Sequence, residues 1–220
     1  GHKTMIKTPR PHIAILILGH DDKIHLDDAL KSVLDQTYDN YEIIYIDNGS
    51  TDGSIDFMIA NYPDIKLIDN KINIGYAPAY NNALRNIFLN DFEVAVLLNS
   101  DVIVDKNWLA ELVKSAYQDQ TIATAQSKIL LWNNGKGNII NTDGGKINYL
   151  GFGFCGNYKK NDSERNAQDA DIAFASGCSV LIKKDRYLKI GGFDDDFFAY
   201  VEDQDFGWSV MDVNQEIMKS

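Results

Sequence analysis

Between residues 13 and 99, short apolar runs alternate with segments whose apolar residues recur every three to four positions. Ile13-Ala14-Ile15-Leu16-Ile17-Leu18, Ile43-Ile44-Tyr45-Ile46 and Val94-Ala95-Val96-Leu97-Leu98 are of the first kind, with Ile65-Lys66-Leu67-Ile68 a shorter one. A run apolar at every position reads as a strand covered on both faces. Between these runs, Leu26, Leu30, Val33 and Leu34 form the stripe of a helix over roughly 26–36. Ile55, Ile59 and Ala60 mark a second helix, and a third runs from about Ala77 to Leu89. Strictly alternating strands and helices predict a mostly parallel sheet with right-handed crossovers.

The pattern changes after residue 105. A helix is expected near 107–117 and a strand near 122–126, before a Gly- and Asn-rich stretch, 133–158, that reads as hairpins and loops. Residues 159–171 read as a polar loop, 172–183 as strand, Gly191-Gly192-Phe193 as a turn and 202–212 as helix.

Ligands of such sheets bind beyond the carboxyl ends of the strands. Here those ends are Gly19-His20-Asp21-Asp22, Asp47-Asn48-Gly49 and Asn99-Ser100-Asp101, three polar, carboxylate-bearing tips expected to converge on one edge. Asp-Asn-Gly-Ser is also a favourable turn, and Ser50 or Asp52 suits a helix cap. A second acidic string, Glu202-Asp203-Gln204-Asp205, lies far along the chain. Strand-end carboxylates suit a hard divalent cation, and a separate acidic cluster suits a general base.

At 220 residues and 45% hydrophobic content, the chain can bury the core of one large domain. A net charge of −11 argues against a nucleic-acid partner. It leaves room for a nucleotide whose phosphates share a cation with the protein. Cys155 and Cys178 lack metal-site spacing and form no disulfide framework, which fits free thiols in a reducing cytoplasm. No run reaches the roughly 20 apolar residues of a membrane span. Residues 1–12 read as a tag remnant, Gly1-His2-Lys3-Thr4-Met5, followed by a tail.

Several motifs occur together and in order. They are Ser32-Val33-Leu34-Asp35-Gln36-Thr37-Tyr38, Tyr45-Ile46-Asp47-Asn48-Gly49-Ser50-Thr51-Asp52-Gly53-Ser54, and Asn73-Ile74-Gly75-Tyr76-Ala77 with Tyr80-Asn81-Asn82-Ala83. Leu97-Leu98-Asn99-Ser100-Asp101, Ser176-Gly177-Cys178, Gly191-Gly192-Phe193-Asp194 and Glu202-Asp203-Gln204-Asp205 complete the set. In this order the chain resembles glycosyltransferase family 2, the inverting enzymes of the GT-A fold, and its rhamnosyltransferase-like branch most closely.

The resemblance implies an α/β, Rossmann-like, mostly parallel sheet flanked by helices, with a smaller mixed β region on the acceptor side. Residues 13–105 would form the nucleotide-sugar half, and 106–220 the acceptor and catalytic-base half of the same domain. It implies a donor site of Asp47, Asn48, Asn73, Gly75, Asn81, Asn99, Ser100 and Asp101. Asp47 would read the base and Gly75 would let backbone approach a phosphate. Asp101 would hold Mn2+ or Mg2+ as the last member of an Asp-x-Asp motif whose first position is here Asn99. Asp203 would be the base, with Glu202 positioning it or the acceptor.

The implied reaction moves a sugar from a UDP-sugar or dTDP-rhamnose to a glycan or lipid-linked glycan in cell-envelope polysaccharide synthesis. The implied location is the cytoplasm, at the inner face of the membrane. Relatives usually continue past the point where this chain stops, so a C-terminal truncation is expected, with membrane-surface association residing in missing segments. Two rivals stand beside this reading: a non-catalytic nucleotide-sugar-binding or assembly module, and a sugar nucleotidyltransferase. The Gly- and Arg/Lys-rich loop of the latter has no counterpart after the first strand.

Overall fold

The computed structural model describes residues 9–90, 92–133, 136–147, 153–164, 170–198, 202–214 and 217–219. Most of the expected tag remnant and part of the expected polar loop lie outside these residues. Four strands, β1 (Ile13–Gly19), β2 (Tyr41–Asp47), β3 (Lys66–Asp69) and β4 (Val94–Asn99), pair in parallel in the order β4-β1-β2-β3. The chain lays β2 and β3 on one side of β1, then crosses to lay β4 on the other. That reversal puts a crevice at the carboxyl tips of β1 and β4.

The sheet extends past β4 with strands from the second half. β11 (Ser179–Lys183) lies antiparallel between β4 and β5 (Ile122–Gln126), and β12 (Ile217–Lys219) and β10 (Asp171–Ile172) continue the edge. Two hairpins stand apart: β6 (Ile129–Asn133) with β7 (Lys136–Thr142), and β8 (Gly145–Ile147) with β9 (Gly153–Cys155).

The period-two alternation of side chains splits each central strand between two cores. Ala14, Leu16, Ile44, Ile46, Ala95 and Leu97 pack under α3 (Tyr76–Phe88), α5 (Lys184–Ile190) and α6 (Glu202–Asn214). Ile13, Ile15, Ile17, Tyr45, Val96 and Leu98 pack under α1 (Lys23–Leu34), α2 (Ser54–Asn61) and α4 (Trp108–Ala116). Burial on both faces is why these strands read as unbroken apolar runs.

Three expectations change. Residues 172–183 are not one strand: only Asp171–Ile172 and Ser179–Lys183 pair, with a turn between them. Lys184–Ile190 is a helix that the sequence concealed, because it is seven residues long and buries only Tyr187 before Gly191 ends it at φ 95°. The stripes of α1 and α2 are also rotated from those expected. Leu34 and Ile59 are exposed, while Ala29 and Met58 face the core.

Candidate active site

The tips of β1, β2 and β4 are stapled by backbone. Asn48 N–H donates to the Gly19 carbonyl at 2.9 Å, and Ser100 Oγ donates to the Leu18 carbonyl at 2.9 Å. Beyond them opens a cavity of about 400 Å³ whose lining includes Gly19, His20, Asp21, Asp22, Asn48, Asn73, Gly75, Asn99, Ser100 and Asp101. Tyr76, Phe198, Ile24 and His25 also line it. Six of the expected donor-site residues therefore meet at one cavity. Asp101 is exposed there, whereas Ser100 is buried and its hydroxyl is committed to β1.

Asn48 acts as a hub beneath the cavity rim. Its amide nitrogen donates to Asn73 Oδ1 at 2.9 Å and to the Gly75 carbonyl at 3.2 Å, and its Oδ1 accepts from Asn70 and from the Ile74 N–H. Asp52 serves the neighbouring helices. Its carboxylate accepts the first N–H of α1, from Lys23, at 2.8 Å and the first N–H of α2, from Ser54, at 3.0 Å. Unpaired N–H groups at helix starts make a carboxylate favourable there.

Two expected donor residues lie outside the cavity, and a third has a different reason for its identity. Asp47 is 0% exposed. Its Oδ1 accepts from the Gly49 and Ser50 N–H groups at 3.0 and 2.8 Å, while Oδ2 is buried without a hydrogen-bond partner. Asn81 is fully buried and fully used. Its nitrogen donates to the Phe193 carbonyl and to Asp195, and its oxygen accepts from Tyr187 Oη and the Phe193 N–H. It has no capacity left for a ligand and instead ties α3 to the turn after α5. Gly75, at φ 92°, has no room for a side chain because Phe198 is there. A Cβ would stand 2.7 Å from the Phe198 carbonyl oxygen and 2.8 Å from its ring. The glycine makes room for Phe198 and also lines the cavity.

The acidic pair opens α6, where the helix dipole favours negative charge. It is one side chain away from the cavity, and that side chain is Tyr76. The Tyr76 N–H donates to the Phe198 carbonyl at 2.6 Å, and its hydroxyl donates to the Gly177 carbonyl at 2.7 Å. The Gly177 N–H in turn serves the Asp203 carboxylate. Gly177 has to be glycine because a Cβ would collide with the Tyr76 hydroxyl. At the other end of this turn, the Cys178 carbonyl accepts the Asn99 N–H at 3.1 Å, and the Cys178 thiol feels the charge of Asp101. Burial raises Asp203 above the usual carboxylate range, opposed by the N–H groups of Gln204 and Gly177. Burial also raises Glu202, and the adjacent Asp203 charge adds to the effect. Glu202 is only 6% exposed, with Oε2 unpartnered. The sequence quoted Tyr76 and Gly177 only as motif letters, since their roles depend on contacts about a hundred residues apart.

The model of the family described as "Glycosyl transferase family 2" matches residues 24–191. The chain belongs to glycosyltransferase family 2. One relative is the N-acetylglucosaminyl-diphospho-decaprenol L-rhamnosyltransferase of Mycobacterium tuberculosis, 23% identical over 205 residues, covering 83% of this chain and 65% of that protein. The chain spans between 32% and 65% of the lengths of the first curated relatives it matches. Two solved structures share its fold at 18% identity. The Pyrobaculum calidifontis mannosyltransferase PcManGT, in complex with GDP-Man and Mn2+, aligns with a TM-score of 0.66 over 96% of this chain and 55% of its own. GalNAc-T7 with UDP, GalNAc and Mn2+ gives 0.75 over 95% and 42%. The fold is that of the GT-A glycosyltransferases.

This family 2 domain lines its cavity with Asp21, Asp22 and Asp101 and with no Lys or Arg among the described residues. Burial, with the charges of Asp101 and Asp52 adding to it, pushes Asp22 up to about 6 against its backbone hydrogen bonds, and Asp22 Oδ1 has no partner. Such a lining repels a bare diphosphate, and a divalent cation would offset that repulsion. Among the described residues no cluster of three or more Asp, Glu, His or Cys could hold that cation unaided. Exposed in the cavity, the Asp101 carboxylate is the lining group that could hold a hard divalent cation. Replacement of the first motif Asp by Asn99 removes one charge but keeps an oxygen.

Proposed function

We propose that this chain is the donor-binding and proton-accepting domain of an inverting, metal-dependent glycosyltransferase. It would move a sugar from a UDP-sugar or dTDP-rhamnose to a hydroxyl of a glycan or lipid-linked glycan during polysaccharide synthesis at the cytoplasmic face of the membrane. One observation carries the reading. The Ser176–Cys178 turn has Asp203 at one end and the Asn99–Asp101 tip at the other, with Tyr76 reaching from the cavity to its middle. A transferred sugar must lie between its leaving diphosphate and the base that activates the incoming hydroxyl, and this chain of contacts supports such an arrangement.

In the reaction, an acceptor oxygen attacks the anomeric carbon from the side opposite the diphosphate. The Asp203 carboxylate takes the hydroxyl proton as the new C–O bond forms. The bond from the anomeric carbon to the diphosphate oxygen breaks, and the electron pair leaves with the diphosphate. Mn2+ or Mg2+ at Asp101 would supply Lewis-acid neutralisation of that developing charge. The raised Asp203 pKa strengthens it as a proton acceptor, and the buried Glu202 beside it would position it or the acceptor. Asp47 Oδ2, unpaired at the tip of β2, is the acceptor this reading assigns to the imide N–H of uracil or thymine. The relative named for rhamnosyl transfer to a decaprenyl-linked sugar favours dTDP-rhamnose and a lipid-linked acceptor.

The test is transfer from a panel of UDP-sugars and dTDP-rhamnose in the presence of Mn2+. Asp203→Asn should reduce kcat by about 10²-fold or more. It should leave the Kd for the donor within about twofold, since the substitution spares the cavity. Full turnover by Asp203→Asn would remove it from the base role. Absence of nucleotide binding by the parent chain would remove the donor site itself.

A further inference from the structure

Phe198 is a large apolar side chain, 58% exposed, on the wall of a polar cavity. Exposure of an aromatic ring alone means little. What distinguishes Phe198 is how firmly its backbone is held. The Tyr76 N–H clasps its carbonyl at 2.6 Å, and Gly75, at φ 92°, leaves the space that its ring edge and backbone fill. Tyr76 also reaches Gly177 with its hydroxyl, and Gly177 serves Asp203. Tyr76 therefore links Phe198, on the cavity wall, through Gly177 to Asp203 behind it. Ile24, near the start of α1, is 83% exposed and lines the same cavity.

We propose that Phe198 is a preorganised wall for the donor's sugar ring, packing against its apolar face and thereby selecting the donor. This rests on the proposed glycosyltransferase reading and adds to it the residue that senses the transferred group. Three features favour the sugar over the rest of the donor. The diphosphate needs charge and hydrogen bonds, which an aromatic ring does not supply. The unpaired acceptor suited to the base belongs to Asp47, at the tip of β2. In the proposed reaction the sugar lies between Asp101 and Asp203, and Tyr76, which is bonded to Phe198 and reaches toward Asp203 through Gly177, lines the cavity there. A pyranose presents C–H groups on one face and a 6-deoxy sugar adds a methyl, so each can bury apolar surface against the ring. Because the ring's backbone is held in place before binding, little ordering is needed when the donor arrives.

The experiment is calorimetry on the whole chain with Mn2+, comparing UDP with UDP-glucose and UDP-N-acetylglucosamine, and dTDP with dTDP-rhamnose. For the parent chain, at least one nucleotide-sugar should bind more tightly than its bare nucleotide. In Phe198→Ala that advantage should fall by roughly tenfold, the scale of a few lost apolar contacts. Binding of the bare nucleotide should change by less than about twofold, since no bond to it is removed. Phe198→Tyr should restore the advantage, and the circular dichroism and thermal midpoint of each variant report its folding. An equal loss for nucleotide and nucleotide-sugar would overturn the wall while leaving the donor site intact. So would an unchanged advantage. Failure of the parent chain to bind any nucleotide would instead sink the glycosyltransferase reading.

Discussion

Burial lifts the Asp22 carboxyl to about 6, and the charges of Asp101 and Asp52 push the same way. In the unfolded chain the same group titrates near its ordinary 3.8. Between these values the folded protein holds a proton that the unfolded chain has released, so stability falls as pH rises through this interval. Above the interval the full cost of a buried, ionised Asp22 remains. Asp22→Asn should therefore be as stable as the parent near pH 3.5, and more stable by about 1 kcal/mol above roughly pH 7, after discounting for partial exposure. Urea denaturation at the two pH values checks it; equal stability at both would mean the carboxyl is not strained. The chemistry of this residue was only half legible. The sequence placed Asp22 at a strand tip, but the charges it faces come from Asp52 and Asp101, on other segments.

At the scale of elements, what could be read was what is local. The unbroken apolar runs of β1, β2 and β4 announce burial on both faces, and the stripes between them announce helices. The order of β5, β11, β10 and β12 could not be read, because an antiparallel strand inserted beside β4 differs from a parallel one only in its partner. Asn81 shows the same limit. A motif placed it with the donor, whereas its contacts lie with Tyr187, Phe193 and Asp195, more than a hundred positions away. Arg85, one turn further along α3, also reaches Asp195 at 3.2 Å. Asn81→Ala would strip a buried hydroxyl and a buried N–H of their partner and detach α3 from the turn that follows α5. We expect it to cost about 2–4 kcal/mol in denaturant unfolding. Nucleotide affinity of the protein that remains folded should stay within about twofold, since no ligand group loses a partner. A large loss of affinity with little loss of stability would return Asn81 to the donor site.

The whole molecule is acidic, with a net charge of −11 and a pI near 4.7, yet its proposed ligand is a diphosphate anion. The cavity carries Asp21, Asp22 and Asp101 and no Lys or Arg among the described residues, so local charge does not reverse the long-range field. A donor approaching without a cation meets repulsion at every distance, and one that arrives as a Mn2+ complex meets less. Salt screens what remains, as the Debye length shortens from ~30 Å at about 0.01 M to ~8 Å at about 0.15 M. Most nucleotide sites rich in basic residues lose association rate when salt is added; this one should gain. Over that range we expect the association rate of a fluorescent UDP analogue with Mn2+, measured by stopped flow, to rise about two- to fivefold. Chelation of the metal should abolish binding at either salt concentration, since the cavity then offers the diphosphate no counter-charge. A rate that falls with salt would show that basic side chains outside the cavity govern capture of the donor. Binding that survives chelation would show that the protein holds the diphosphate without a cation between them.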